Sequence, residues 1–205
     1  MAALQYLTGF DNEHETEAVA GALPLGQFSP QQHPLGLYAE QLSTTAFTAP
    51  RHNNRRTWCY RIQPSVAQGK VELLGTGQNL ETAPIADRLP HEALRWSPPV
   101  LTAEPKDFID SLVTMMANGD ARIQTGVGVH TYACNRDMTG RYFYSADGEL
   151  LIIPVDGELE LRTELGLLNI EPGEIAVIPR GIRFQANPAK ANSYGYVAEN
   201  YGTAL

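Results

Sequence analysis

Between Arg141 and Ala198, apolar and polar positions alternate in short segments cut by turn signals at near-regular spacing. Tyr142-Phe143-Tyr144 leads to Asp147-Gly148, Leu150 to Val155 leads to Asp156-Gly157, and Leu159 to Thr163 leads to Leu165-Gly166. Leu167 to Ile170 then precedes Pro172-Gly173, and Ile175 to Ile178 precedes Arg180-Gly181. Strands of this length joined by Asp-Gly and Pro-Gly turns predict antiparallel hairpins folding into a sandwich or barrel, which we read as a jelly roll. In Glu158-Leu159-Glu160-Leu161-Arg162-Thr163 the leucines share one face and the charges the other, the pattern of a half-buried strand. Asp147-Gly148 and Asp156-Gly157 supply residues that tolerate the positive φ of tight loops.

Upstream the period changes. Thr57 to Ile62 is aromatic and partly alternating, and Pro64 closes it, which predicts a strand. From Asp107 to Asn118 the residues Phe108, Leu112, Met115 and Met116 recur at helical spacing, with Gly119 placed as a C-terminal cap, so one short helix is expected there. Gln124 to Cys134 then reads as a strand with Val127, Val129, Thr131 and Ala133 on one face. Between Gln68 and Glu104 the signals are weak; Gly75, Gly77, Pro84, Pro90, Pro98 and Pro99 mark loops, leaving room for short strands at Val71 to Leu74 and Glu92 to Trp96. Residues 1–50 are broken by Gly9, Gly21, Pro24, Gly26, Pro30, Pro34, Gly36 and Pro50, yet carry Tyr6, Phe10, Leu23, Phe28, Leu37, Tyr38 and Phe47. They describe an irregular, extended N-terminal arm lying on another surface, and residues 51–205 a β domain.

Composition excludes several classes. With 205 residues, 43% hydrophobic, the chain can bury a core. A formal net charge of -8 argues against a nucleic-acid partner. No stretch approaches the roughly eighteen apolar residues of a membrane span, and no basic segment followed by an apolar run opens the chain, so a cytoplasmic location and no membrane partner are expected. Two widely separated cysteines, Cys59 and Cys134, fit a reducing compartment.

The five histidines, at positions 14, 33, 52, 91 and 130, each stand alone, without the His-x-His or His-x-x-x-Glu spacing that lets strand residues meet one ion. His130, opposite the valine face of its strand, reads as a hydrogen-bonded structural histidine; His14 and His33 read as exposed groups or subunit contacts. Gly-x-Ser-x-Gly, Gly-Lys-Ser/Thr and Cys-x-x-Cys are all missing, and Gly126-Val127-Gly128 runs into a strand rather than the helix a dinucleotide site needs. Glu158 and Glu160 read as solvated. Arg51, His52 and Arg55 form a charge cluster, with subunit contact or local ion pairing the blander reading and attraction of an anionic substrate the sharper one.

Pro172 to Phe184 resembles the second signature of the cupin jelly rolls. In metal-binding cupins a histidine follows this turn and enters the barrel; Arg183 and Phe184 stand in that neighbourhood here, and the upstream metal signature is missing from Tyr142 to Leu150. The expectation is a cupin-like barrel without its own metal. Gly9-Phe10-Asp11-Asn12-Glu13, Gly21-Ala22-Leu23-Pro24, Gly36 to Ser43, Thr45 to Arg55, Trp58 to Val66, Cys134-Asn135 and Ile178 to Phe184 together resemble the homogentisate 1,2-dioxygenase family over essentially the whole chain.

That resemblance implies a non-haem iron(II) enzyme that opens the ring of homogentisate with O₂ to give maleylacetoacetate in tyrosine and phenylalanine catabolism. It implies a two-part cupin-like protein assembled as a homo-oligomeric dimer of trimers. The family's two histidines, glutamate and acid/base histidine lie in a C-terminal half beyond Leu205, so no iron ligand or catalytic base is carried onto this segment, which is expected to be inactive alone. In such an assembly Arg51, His52 and Arg55 would line the approach for the substrate carboxylate. The alternative is a stand-alone metal-free cupin acting as a small-ligand-binding or assembly module; a metal-dependent sugar isomerase of cupin type needs the missing His-x-His and ranks last.

Overall fold

The structure, a computed structural model, describes residues 35–43, 50, 52, 56–72, 79–85, 95, 97, 100–101, 103–203 and 205. Two compact units divide it: residues 1–73 with 164–166, and residues 74–163 with 167–205.

In the first unit, β1 (Tyr38–Ser43) pairs antiparallel with β2 (Arg56–Arg61), Tyr38 opposite Arg61 and Ser43 opposite Arg56. β2 matches the strand expected at Thr57 to Ile62 within a residue. β1 corrects the expectation that residues 1–50 are irregular throughout: between Gly36 and Pro50 no breaker interrupts the chain, and a paired strand forms. The rest of the expected arm, residues 1–34 and 44–49, lies outside the described residues. Arg61 ties the unit together by donating to Glu40 at 2.6 Å and to both carboxylate oxygens of Glu164 at 2.6 and 2.8 Å, while the backbone N–H and hydroxyl of Ser65 donate to Glu40 at 2.6 Å.

The second unit is mainly β. A five-stranded antiparallel sheet runs in the order β3 (Val113–Asp120), β4 (Thr125–Cys134), β10 (Ser193–Asn200), β5 (Glu149–Asp156), β8 (Ala176–Ile178). A three-stranded sheet is ordered β7 (Gly166–Ile170), β6 (Leu159–Thr163), β9 (Phe184–Pro188). Leu159, Leu161, Phe184, Ala186, Ile152, Val197 and Tyr132 are buried, which puts the core on the inward faces of both sheets. Phe184 sits among rings, its centroid 6.0 Å from Phe108 and 5.8 Å from Phe143.

The pairing corrects the hairpin series. Among the expected turns, only the one ending at Gly166 joins neighbouring strands, β6 and β7. Asp156-Gly157 and Pro172-Gly173 carry the chain from one sheet to the other, because β5 and β8 pair with each other while β6 and β7 pair elsewhere. Gly157, at φ 75°, makes that corner where a Cβ would meet the Asn192 carbonyl at 2.1 Å. This interleaving of sheets is the jelly-roll signature.

The helix expected over Asp107 to Asn118 shrinks to α1 (Phe108–Ser111), and Val113 onward is β3. Asp107 caps α1 by accepting from the Asp110 N–H at 3.0 Å, and Leu112 ends it in extended geometry. Beyond Leu112 the β-branched Val113 and Thr114 favour a strand, and Met115 falls inside the register shift between Thr114 and Met116, so a bulged strand supplies the spacing that reads as helical. Gly119 is no cap: it faces Gly126 across the β3–β4 ladder, where a Cβ would meet backbone at 2.2 Å. The strands allowed at Val71 to Leu74 and Glu92 to Trp96 fall partly outside the described residues, and Val71, Glu72 and Arg95 are not in strands.

Candidate functional site

β4 runs as expected, but its buried face is Gly128, His130, Tyr132 and Cys134 rather than the valine side. Register then dictates what His130 meets. Across the sheet Thr114, His130, Val197, Ile152 and Ala176 form one inward rung, and Ala117, Gly128, Glu199, Leu150 and Ile178 the next. Gly128, directly opposite Glu199, has no side chain; a Cβ there would stand 2.9 Å from His130 Nε2 and 2.8 Å from the Tyr201 hydroxyl oxygen. The imidazole therefore leans over the glycine toward the acid, and Nε2 comes to 3.5 Å from Glu199 Oε2.

The pair is embedded: His130 is 1% and Glu199 6% exposed. Thr114 Oγ1 lies 2.9 Å from His130 Nδ1, accepts the Glu81 N–H at 2.7 Å and donates to the Glu81 carbonyl at 3.2 Å. With its one proton given to Glu81, Thr114 accepts from Nδ1–H, which leaves Nε2 turned toward Glu199. Nε2 makes no hydrogen bond. Glu199 accepts from the Ser145 hydroxyl at 2.5 Å and from the Tyr201 hydroxyl at 3.2 Å. Ser145 is fixed by the N–H groups of Asp147 and Gly148, each at 3.1 Å.

Burial alone would raise the Glu199 carboxyl; His130, Ser145 and Tyr201 outweigh it and hold the group below its ordinary value. Burial, with Glu199 nearby, pushes the Tyr201 phenol up to about 12, so it stays a donor. The Cys134 thiol, also buried, is pushed up to about 12, which leaves it inert; neither Cys59 nor Cys134 is in a disulfide.

His130 and Glu199 line a cavity of about 170 Å³ together with Phe108, Leu112, Phe143, Ser145, Leu150 and Val197. Asp147 and Tyr144 also line it, and the Arg183 guanidinium sits 5.5 Å from the centre of the Tyr144 ring.

His52 is exposed, and Arg51 and Arg55, like His14, His33 and His91, lie outside the described residues. His130 is hydrogen-bonded, as read, but Glu199, Ser145, Tyr201 and Thr114 were missed. The alternation of Gly195, Val197 and Glu199 in the last strand was the available signal, since it places a carboxylate on a buried face.

Homogentisate 1,2-dioxygenase N-terminal is the family whose pattern matches residues 5–205. The chain belongs to this family. Similar solved structures include a cupin-2 domain protein from Shewanella frigidimarina, 17% identical over 53% of this chain and 84% of that one, TM-score 0.33. An RmlC-like cupin with a double-stranded β-helix fold from Methanocaldococcus jannaschii is 14% identical over 55% and 95%, TM-score 0.38. A double-stranded β-helix protein from Klebsiella pneumoniae is 14% identical over 56% and 95%, TM-score 0.41.

The iron that the resemblance implies finds no matching ligand set in the His130 cluster. One histidine and one carboxylate converge; the other neighbours are a phenol held protonated and a serine hydroxyl, so the two-histidine, one-carboxylate set is not met. Among the described residues no group of three or more His, Cys, Asp or Glu is placed to hold a metal ion. The cluster does not fit the iron of a ring-cleaving centre.

Proposed function

We propose that this chain is the N-terminal portion of an enzyme that cleaves the ring of homogentisate with O₂ to give maleylacetoacetate, in tyrosine and phenylalanine catabolism in the cytoplasm. Its role is scaffold and subunit contact within a homo-oligomer, a dimer of trimers, while iron(II) is held by a C-terminal half. The match over residues 5–205 carries the reading. The donor set around His130, one histidine short, supports assigning the metal elsewhere.

Arg51, His52 and Arg55 remain the candidates for drawing the substrate carboxylate toward a neighbouring active site. Replacing Arg55 by Ala in the full-length enzyme is expected to raise KM with kcat little changed; an unchanged KM and unchanged assembly would remove that role.

Metal analysis and oxygen uptake test the division of labour. The 205-residue chain is expected to bind no stoichiometric iron and to consume no O₂ with homogentisate, and supplying the C-terminal half is expected to restore both. Stoichiometric iron on the 205-residue chain by itself would overturn the reading.

A further inference from the structure

The cavity beside His130 is unused by the proposed ring cleavage, and its walls set narrow terms for what fills it. It lies within the second unit, and at about 170 Å³ it is close to the ~150 Å³ that suffices for one benzene-sized molecule. Phe108, Leu112, Phe143, Leu150 and Val197 make most of its wall apolar. The polar floor is balanced in charge: His130 and Glu199 face each other as an ion pair, and His130 is among the groups that hold the carboxyl ionised. The Tyr144 ring, half exposed, already faces the Arg183 guanidinium.

Balanced in charge, the floor is still not closed. Nε2 points at Glu199 Oε2, but the 3.5 Å between them is longer than a good hydrogen bond, and Nε2, on a side chain 1% exposed, has no hydrogen-bond partner among the described residues. Glu199 Oε2 accepts from the Tyr201 hydroxyl at 3.2 Å and keeps a lone pair to spare. The missing group is one that accepts from Nε2–H and donates to the carboxylate at the same time. An ammonium would sit beside the imidazolium, and a second carboxylate beside Glu199, each burying a charge against a like neighbour. A hydroxyl both accepts and donates, and adds no charge. We propose that this cavity binds a small uncharged alcohol with an apolar body, its hydroxyl bridging His130 Nε2 and Glu199 and its body resting against Phe108, Phe143 and Leu150.

The proposal goes beyond ring cleavage and is tested without it. The 205-residue chain is titrated with benzyl alcohol, with ethylbenzene as the isostere lacking the hydroxyl, and with benzylamine and benzoate as the charged analogues. Binding is followed by calorimetry and by ¹H–¹⁵N chemical-shift mapping that includes the histidine rings. Benzyl alcohol is expected to bind at least about tenfold more tightly than each of the other three. The shifts are expected to centre on Ser145, Glu199 and the His130 ring, and a crystal grown in saturating benzyl alcohol is expected to show its hydroxyl within hydrogen-bond reach of both Nε2 and Glu199. Leu150→Phe fills the cavity from its apolar side and is expected to abolish binding of benzyl alcohol while leaving the polar cluster intact. The ligand series on the unaltered chain decides first. Ethylbenzene, benzylamine or benzoate binding as tightly as the alcohol, shifts centred elsewhere, or only water in the cavity of that crystal would each overturn the proposal, whatever the outcome of the iron and oxygen measurements.

Discussion

Gly128 is the residue on which the polar cluster turns. Its missing Cβ is what lets the His130 ring approach Glu199, and the Tyr201 hydroxyl occupies the other side of the same space. Gly128→Ala would put a methyl group 2.8 to 2.9 Å from two buried polar atoms, so either the ring or the phenol must move. Overpacking of this kind costs about 1–3 kcal/mol, which chemical denaturation of the variant against the parent will read. The same cluster sets a pH dependence. Glu199 in the second unit and Glu40 in the first both sit below their ordinary value of 4.5, Glu40 at about 2 because Ser65 and Arg61 donate to it. A depressed carboxyl contributes stability that is complete above its unfolded pKa and is lost as pH falls through the folded one. The unfolding free energy is therefore expected to drop from about pH 5 to about pH 2, and Glu40→Gln to flatten that drop. An acid limb of equal slope in parent and variant would show that Glu40 contributes nothing to it.

Among the elements, legibility followed how local the signal was. The alternation in β6 gave a buried leucine face, and β5 was bounded to within a residue, because a half-buried or fully buried strand writes its period into neighbouring positions. Turn residues such as Asp156-Gly157 announce a change of direction but not which strand is paired afterwards, so a corner between sheets read as a hairpin. Phe108 and Leu112 fit a helix, yet one turn is all that Asp107 caps before the ladder to β4 takes the chain. The site was less legible still: His130 and Glu199 are 69 positions apart and meet only through the β4–β10 register. Phe184 shows what the nonlocal packing is worth. It is fully buried between Phe108 and Phe143, and its backbone also bonds Phe143 in both directions at 2.9 Å. Phe184→Ala removes the ring and leaves a cavity, and a loss of about 3–5 kcal/mol is expected in thermal or denaturant unfolding.

For the molecule as a whole, the outward face of the five-stranded sheet carries the strongest unspent signal. Met116, Val129, Ala198, Leu151 and Val177 form one rung across all five strands, on the side opposite His130 and Glu199. Tyr196 is 45% and Val177 40% exposed. A sheet that faces water on one side ordinarily alternates apolar with polar residues, whereas Leu150 to Val155 is apolar at every position, as strands covered on both faces are. An apolar rung of this width, left uncovered, favours association. Within the proposed oligomeric role, the 205-residue chain is expected to run larger than its 22.5 kDa monomer in light scattering coupled to size exclusion. Val177→Lys and Tyr196→Lys place a charge on that rung or beside it without touching the inward cluster, and each is expected to shift the chain toward monomer while leaving its melting temperature nearly unchanged. If both variants elute with the parent, the outward face takes no part in self-association, and the subunit contacts of the proposed enzyme must be sought on other surfaces of the chain.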